Sequence, residues 1–323
     1  MHLVSTALNL APPGAILEEL RAVDGVRLRA ARWMPKGDPR GTVALFGGRA
    51  EYIEKHFETI GDLVDRGFCV VALDWRGQGG SERQLKNRDK HHIDDFSLYE
   101  RDLSAFVNEI VAPYCPKPYF ALGQSMGAAI LLMIAHTGRL PFERVVLTSP
   151  MIAIANMRRP RLIQGAIEAL DFVGLGGAFA PGGGGRPIGL QPFEGNPLTS
   201  DPARFARVSS SVRADPTIGV GWPTIGWLHA AFRLMRQFED PHYPRAIFTP
   251  ILVIASGADR VTDLRACERF SERLRGGRIV VVEGAEHELL IERDVFREQF
   301  WAAFDAFVPG GEPSPLALGR RLG

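Results

Sequence analysis

YFALGQSMGAAILLMIAH, residues 119–136, is the stretch on which the fold turns. YFAL (119–122) is an aromatic and aliphatic run of strand length. Met126 to Ala135 is an apolar run of 10 residues, with Gly138 standing where a glycine is expected just past a helix terminus. GQSMG (123–127), a G-x-S-x-G match, joins the two. That pattern is common on its own, but between a strand and a helix it is the setting in which a serine sits on a sharp, strained turn with its hydroxyl free. Gly123 and Gly127 fit this reading, because a side chain at either place would obstruct the close approach of strand and helix. Ser125 is therefore the candidate nucleophile.

Outward from this stretch the same alternation recurs. Upstream, VALF (43–46) precedes a helix around Lys55 to Asp65, and FCVVAL (68–73) leads through a glycine-rich turn to a helix starting near Asp94 or Asp95. In that helix Phe96, Tyr99, Leu103, Phe106, Val107 and Ile110 form one apolar stripe at helical spacing. Downstream come VVLT (145–148), ILVIAS (251–256), a helix around Leu264 to Leu274, RIVVVEG (278–284) and a final amphipathic helix from Val295 to Phe307, followed by a Pro- and Gly-containing tail read as frayed. At the amino-terminal side, Asp24-Gly25 between two β-compatible runs predicts an antiparallel hairpin at a sheet edge. Strands joined by helical crossovers give an α/β fold: a mostly parallel sheet with helices on both faces.

Residues 151–243 break the alternation. Nine of the 25 residues from Asp171 to Gly195 are glycine, and strand patterning disappears. A structureless connection of this length is better read as an inserted cap or lid. The sequence is accordingly divided into a core of residues 1–150 and 244–323 and a cap of residues 151–243. GGGG (182–185) reads as a flexible linker, since no strand precedes it and no Lys-Ser/Thr pair follows to make it a phosphate cradle.

A serine hydroxyl needs a base to take its proton and an acid to orient that base. In folds with this turn the chain order is serine, acid, histidine. Of the eight histidines, His229, His242 and His287 lie well downstream of Ser125, and the first two fall in the cap. His287 follows RIVVVEG, where loops at the carboxyl ends of parallel strands converge. It is the candidate base, and His136 reads as structural. Asp259 follows ILVIAS through a Ser-Gly turn and is the candidate acid, whereas Asp263 reads as a helix cap or salt-bridge partner. Glu288, adjacent to the base, reads as a surface residue. The oxyanion donors should be the backbone N–H groups of Met126 and of Arg49 in GGRAEY. The Arg49 side chain has two open fates, an anionic substrate group or an ion pair with Glu51.

Other classes are disfavoured by composition. The 323 residues carry 38 basic and 37 acidic side chains, a net charge of +1, which argues against a nucleic-acid partner. Arg outnumbers Lys 33 to 5, which reads as coding bias; the tight cluster is Arg158, Arg159 and Arg161. The 10-residue apolar run falls short of the roughly 18 to 20 residues that cross a bilayer. The amino terminus lacks a secretory pattern. Three scattered cysteines, Cys69, Cys115 and Cys267, make no disulfide framework, and no H-E-x-x-H or cysteine-histidine cluster points to a metal. No cofactor is expected, and the location read from these features is cytoplasmic.

FGGRAEY, LDWRGQGGS (73–81), GQSMG, NPLTSDPARF (196–205), GWPTIGWLHAAF (221–232), SGADRVTD and GAEHELLIERD resemble, in the same order, the blocks of the α/β-hydrolase superfamily. The branch they resemble is that of bacterial lysophospholipases, monoacylglycerol lipases and serine aminopeptidase-like members. The resemblance implies an α/β-hydrolase fold with an inserted lid, a nucleophile at Ser125, an acid at Asp259 and a base at His287. Gly47-Gly48-Arg49 stands where monoacylglycerol lipases have His-Gly, and it resembles the Gly-Arg form of the bacterial lysophospholipases. The favoured expectation is a lysophospholipase-like serine esterase acting through an acyl-enzyme on a small acyl ester or lysophospholipid. Alternatives are a monoacylglycerol lipase, another esterase or an aminopeptidase gripping its substrate amine through Glu194, and a catalytically idle binding protein. Leu162, Ile163, Ile167, Leu170, Phe172 and Val173 give the cap an apolar stretch that either meets the membrane surface or packs on the core.

Overall fold

Nearly every residue of the inner strands is buried, as expected where helices cover both faces of a parallel sheet. The computed structural model describes residues 2–309, so the tail expected to fray beyond Pro309 and the ends of the 1–150 and 244–323 segments lie outside the described residues. Strands β1 (Ile16–Arg21), β2 (Arg27–Trp33), β3 (Thr42–Phe46), β4 (Cys69–Asp74), β5 (Tyr119–Gln124), β6 (Arg144–Thr148), β7 (Ile251–Ser256) and β8 (Gly277–Val282) form one sheet in the order β1-β2-β4-β3-β5-β6-β7-β8. β1 and β2 form the antiparallel edge hairpin, with Gly25 at φ +82°, and all pairs from β4 onward are parallel. This is the α/β fold that the alternation predicts.

Alternate residues of β3 face opposite layers. Val43 and Leu45 join a cluster with α1 (Phe57–Asp65) and the last helix, while Ala44 and Phe46 face α2 (Leu98–Phe106) and α3 (Met126–His136). After β6 come α4 (Pro160–Leu170), α5 (Pro202–Ala214) and α6 (Ile225–Phe238), then α7 (Leu264–Ser271) between β7 and β8, and α8 (Asp294–Phe307) last. α6 is packed into the larger core cluster through Trp227, Ala231, Phe232 and Met235. α4 buries only Ile167 and leaves Leu162 and Ile163 exposed, so the apolar stretch of the 151–243 segment is only partly used in packing.

Two expectations are corrected. The helix after β4 begins at Leu98 rather than near Asp94, because the Asp95 side chain accepts the Ser97 amide at 2.7 Å in a preceding turn. GGGG is no open linker. Trp222 donates its amide to the Gly184 carbonyl at 3.0 Å, and a Cβ at Gly221 would stand 2.5 Å from that same oxygen. A Cβ at Gly183 would fall 2.8 Å from Trp222 Cβ, and one at Gly185 2.9 Å from Asp89 Oδ2. Gly183 and Gly185 are packed too closely for a side chain, and Gly182 takes a positive φ of +80°, whereas a Cβ at Gly184 would meet nothing within 4 Å.

Candidate active site

Ser125 lies at the sharp turn from β5 into α3, with φ +51° and ψ −110°, a conformation that residues with side chains rarely adopt. The turn is held from three sides. The Ser125 amide donates to the Thr148 carbonyl at 2.9 Å, and its carbonyl accepts from the amides of Ala129 at 3.0 Å and Met151 at 3.2 Å. Close packing explains both flanking glycines: a Cβ at Gly127 would meet Phe46 O at 2.5 Å and Gly47 O at 2.6 Å, and one at Gly123 would meet Leu131 Cδ1 at 2.7 Å.

The structure brings Ser125, Asp259 and His287 into one hydrogen-bonded line. His287 Nε2 is 2.9 Å from Ser125 Oγ, and His287 Nδ1 is 2.7 Å from Asp259 Oδ2. Asp259 is fixed in turn by the Val261 amide at 2.7 Å, the Thr262 amide at 2.9 Å and the Thr262 hydroxyl at 2.7 Å. Burial pushes the Asp259 carboxyl up, but the neighbouring imidazole and the Thr262 donors outweigh it and hold the group below 3.8. Burial pulls His287 down, and the Asp259 carboxylate, aided by the charges of Glu288 and Glu51, more than reverses this and raises it above 6.5. A serine next to an imidazole so oriented can lose its proton to it. Ser125 is 8% and His287 3% exposed, so the line is nearly covered.

The remaining histidines and acids go elsewhere. His229 pairs with Asp171 at 2.6 Å, His242 is exposed, and His136 stacks on Tyr243 at 3.7 Å between ring centroids. Asp263 caps α7 by accepting the Ala266 amide at 2.8 Å. A cavity of 620 Å³ between the 151–243 segment and α7, lined in part by Ile152, Met157, Phe232 and Phe270, includes none of the three aligned residues.

Beside Ser125, the turn Gly47-Gly48-Arg49 passes so close that a Cβ at Gly48 would lie 3.1 Å from Ser125 Cβ. Glu51 accepts the Gly48 amide at 2.6 Å, and Gln78 brackets the turn by donating to Gly48 O at 2.7 Å and accepting from Ala50 N at 2.9 Å. The Met126 amide is at the first position of α3, where helix amides lack intrahelical acceptors. Among the described residues the Arg49 amide has no acceptor either.

One sequence expectation fails here, and one open alternative closes. Glu288 is buried, not a surface residue, and its Oε1 takes a 2.5 Å hydrogen bond from Lys55 Nζ. Lys55 also meets Glu51 at 3.0 Å, so one buried ammonium bridges the residue that holds the Gly47-Gly48-Arg49 turn to the residue next to His287. That bridge is why Arg49 makes no ion pair with Glu51, whose oxygens are taken by Lys55, His56 and the Gly48 amide. Sequence reasoning also passed over Gln124, which donates to the His287 carbonyl at 3.2 Å. Among the described residues no cluster of side chains could hold a metal ion, and no helix is long and apolar enough to cross a membrane.

Comparison with known proteins agrees with this architecture. The chain is 33% identical to lysophospholipase L2 of Escherichia coli K12 over 309 residues, covering 92% of this chain and 88% of that one. It is 27% identical to a monoacylglycerol lipase of Mycolicibacterium smegmatis, covering 84% and 89%. Among solved structures, a monoglyceride lipase from Saccharomyces cerevisiae superposes with a TM-score of 0.72 at 19% identity, covering 94% of this chain and 99% of that one. A thermostable carboxyl esterase from Bacillus coagulans gives 0.73 at 20% identity, covering 93% and 99%. Those two likenesses speak to the α/β-hydrolase fold. The family model described as serine aminopeptidase, S33, matches residues 37–294, and with the lysophospholipase L2 match it establishes that the chain belongs to this family of α/β-hydrolases and is an ester-hydrolysing serine enzyme.

Proposed function

We propose that the protein is a lysophospholipase-like esterase in which Ser125 is the nucleophile, His287 the general base and Asp259 the residue that fixes the imidazole. The observation that carries this is the unbroken line from Asp259 through His287 to Ser125, at 2.7 and 2.9 Å. In the first step Ser125 Oγ attacks the ester carbonyl while its proton passes to His287 Nε2, and the backbone amides of Met126 and Arg49 donate to the oxyanion. Collapse transfers the proton to the leaving alcohol and leaves an acyl-serine. Water, activated by the same imidazole, then releases the fatty acid.

Residues 151–243 are read as the cap over this site. The cap loop is tied to the base, since Glu288 donates its amide to the Leu198 carbonyl at 2.7 Å. Phe172 is 92%, Val173 67% and Leu162 65% exposed, and Arg158, Arg159 and Arg161 are exposed at the start of α4. A segment that exposes apolar side chains and cations suits peripheral contact with an anionic membrane surface, from which a lysophospholipid would be drawn; on this reading the enzyme works in the cytoplasm at the inner face. An aminopeptidase reading has less support, because Glu194 is exposed and Glu51 is already paired.

The test is a panel of lysophosphatidylcholine, monoacylglycerol, p-nitrophenyl butyrate and aminoacyl anilides with the wild type and Ser125→Ala. Ester cleavage that disappears in Ser125→Ala, with no anilide cleavage, is expected. Retained ester cleavage in the variant would sink the assignment.

A further inference from the structure

Arg49 is half-buried and lacks the carboxylate partners that most arginines of the interior have. Arg29, Arg76, Arg204 and Arg297 each meet at least two carboxylates. Arg83 has no ion pair among the described residues, but it gives its donors to the carbonyls of Arg88, Ser81, Thr217 and Gly219. Arg49 has the five N–H donors of any guanidinium. It makes one hydrogen bond, from Nη1 to the Gly221 carbonyl at 3.0 Å, and its guanidinium carbon lies 5.9 Å from the Trp227 ring centroid. No carboxylate among the described residues pairs with it. Burial pulls it down to about 10, which leaves it charged at neutral pH.

The surroundings offer no anion. His91 is fully buried with Nδ1 unpartnered, and its Nε2 is 3.4 Å from the Tyr99 hydroxyl. Burial first, and the Arg49 charge second, hold His91 neutral. The Tyr99 hydroxyl in turn lies 3.9 Å from the Met126 sulfur, next to the nucleophile. A half-buried guanidinium without an acid has lost part of its hydration, and an arriving anion offsets that cost.

We propose that the Arg49 side chain is a specificity-determining group that receives the phosphate of the lysophospholipid headgroup, while the amide of the same residue faces the scissile carbonyl. This rests on the acyl-enzyme reading above. In a monoacyl glycerophospholipid the glycerol carbons separate the ester from the phosphate by about the reach of one arginine side chain, so one residue can address both. A neutral monoglyceride leaves the guanidinium unpaired.

The experiment compares kcat/KM for lysophosphatidylcholine and for monooleoylglycerol in the same mixed micelles, for the wild type, Arg49→Met and Arg49→Lys. Loss of a hydrogen bond to a charged group predicts that the lysophospholipid-to-monoglyceride ratio falls at least about tenfold in Arg49→Met and recovers partly in Arg49→Lys. In parallel, binding of sn-glycerol 3-phosphate, with glycerol and sodium butyrate as controls, is followed by calorimetry; this arm needs no turnover and no variant that folds poorly. Glycerol 3-phosphate should bind the wild type, butyrate and glycerol should not, and Arg49→Met should lose at least tenfold. An unchanged substrate ratio overturns the proposal even if both esters are cleaved. Absence of glycerol 3-phosphate binding to the wild type, or binding matched by butyrate, overturns it too. A wild type that cleaves no ester, yet binds glycerol 3-phosphate through Arg49, would defeat the esterase reading and keep the phosphate site.

Discussion

Gly127→Ala should disable the enzyme without touching any of the three aligned residues. The added Cβ would stand 2.5 Å from Phe46 O and 2.6 Å from Gly47 O, and real Cβ contacts essentially never fall below 3.0 Å, so α3 and the end of β3 must part by at least 0.5 Å (3.0 − 2.5). Neither side can yield cheaply, because both contacts are backbone and Phe46 is paired with Leu73 on one side and Gly123 on the other. The displacement falls between the two candidate oxyanion donors: Met126 precedes Gly127, and Arg49 follows Gly47 by two residues. Full loss of one such donor costs about 10²- to 10³-fold in kcat, so a partial misplacement should cost roughly 10- to 100-fold. KM should change little, since the interaction is made in the transition state. Overpacking should also cost about 1–3 kcal/mol of stability. Initial rates on p-nitrophenyl butyrate, normalised to active sites, and a thermal melt measure both effects. Gly61→Ala in α1, where an added Cβ meets nothing within 4 Å, is the control; it should keep full activity and gain a few tenths of a kcal/mol. A kcat in Gly127→Ala within threefold of wild type, with an unchanged melt, would refute the reasoning.

Further outcomes follow from the same geometry. Because His287 is raised above 6.5 and must be neutral to accept the Ser125 proton, kcat/KM should rise with pH through a midpoint above 6.5; a midpoint below it would contradict the Asp259 pairing. The sign for stability is opposite: a raised histidine stabilises the fold below 6.5 and loses that contribution as pH climbs through the folded-state value, so Asp259→Asn should lower the melting temperature more at pH 5.5 than at pH 9 (both chosen around that value). Lys55→Met leaves Glu51 and Glu288 buried without their shared cation and should cost about 3–5 kcal/mol by denaturant titration, whereas a loss under about 1 kcal/mol would show the bridge to be dispensable. Phe172→Ser with Leu162→Ser removes apolar area worth about 1.5–3 kcal/mol per side chain from the 151–243 segment, so sedimentation with phosphatidylglycerol vesicles should fall at least tenfold; unchanged sedimentation would remove the membrane role.

The parts of the fold legible in the sequence were those written in local pattern. Strand and helix alternation gave the parallel sheet, and Asp24-Gly25 gave the edge hairpin, because period and turn chemistry are properties of a few neighbouring residues. Ser125, Asp259 and His287 could be named as candidates for a related reason: each stands just after a recognisable strand, and strand ends of a parallel sheet converge. What stayed hidden depends on pairs of distant segments. The Lys55 to Glu288 contact joins residues 233 positions apart, so nothing near Glu288 marks it as buried. The Arg29 guanidinium, locked between Glu54 and Asp74, is equally silent in its own strand. GGGG read as a linker because the neighbours that crowd Gly183 and Gly185, Trp222 and Asp89, lie elsewhere in the chain.

The central claim is that an acyl group is carried on Ser125. Intact-mass and peptide mass spectrometry after treatment with a fluorophosphonate tests it most directly. A single adduct should form on the peptide holding Ser125, in step with loss of ester hydrolysis, and none should form in Ser125→Ala. An adduct on any other residue, or hydrolysis that persists once Ser125 is fully labelled, would contradict it.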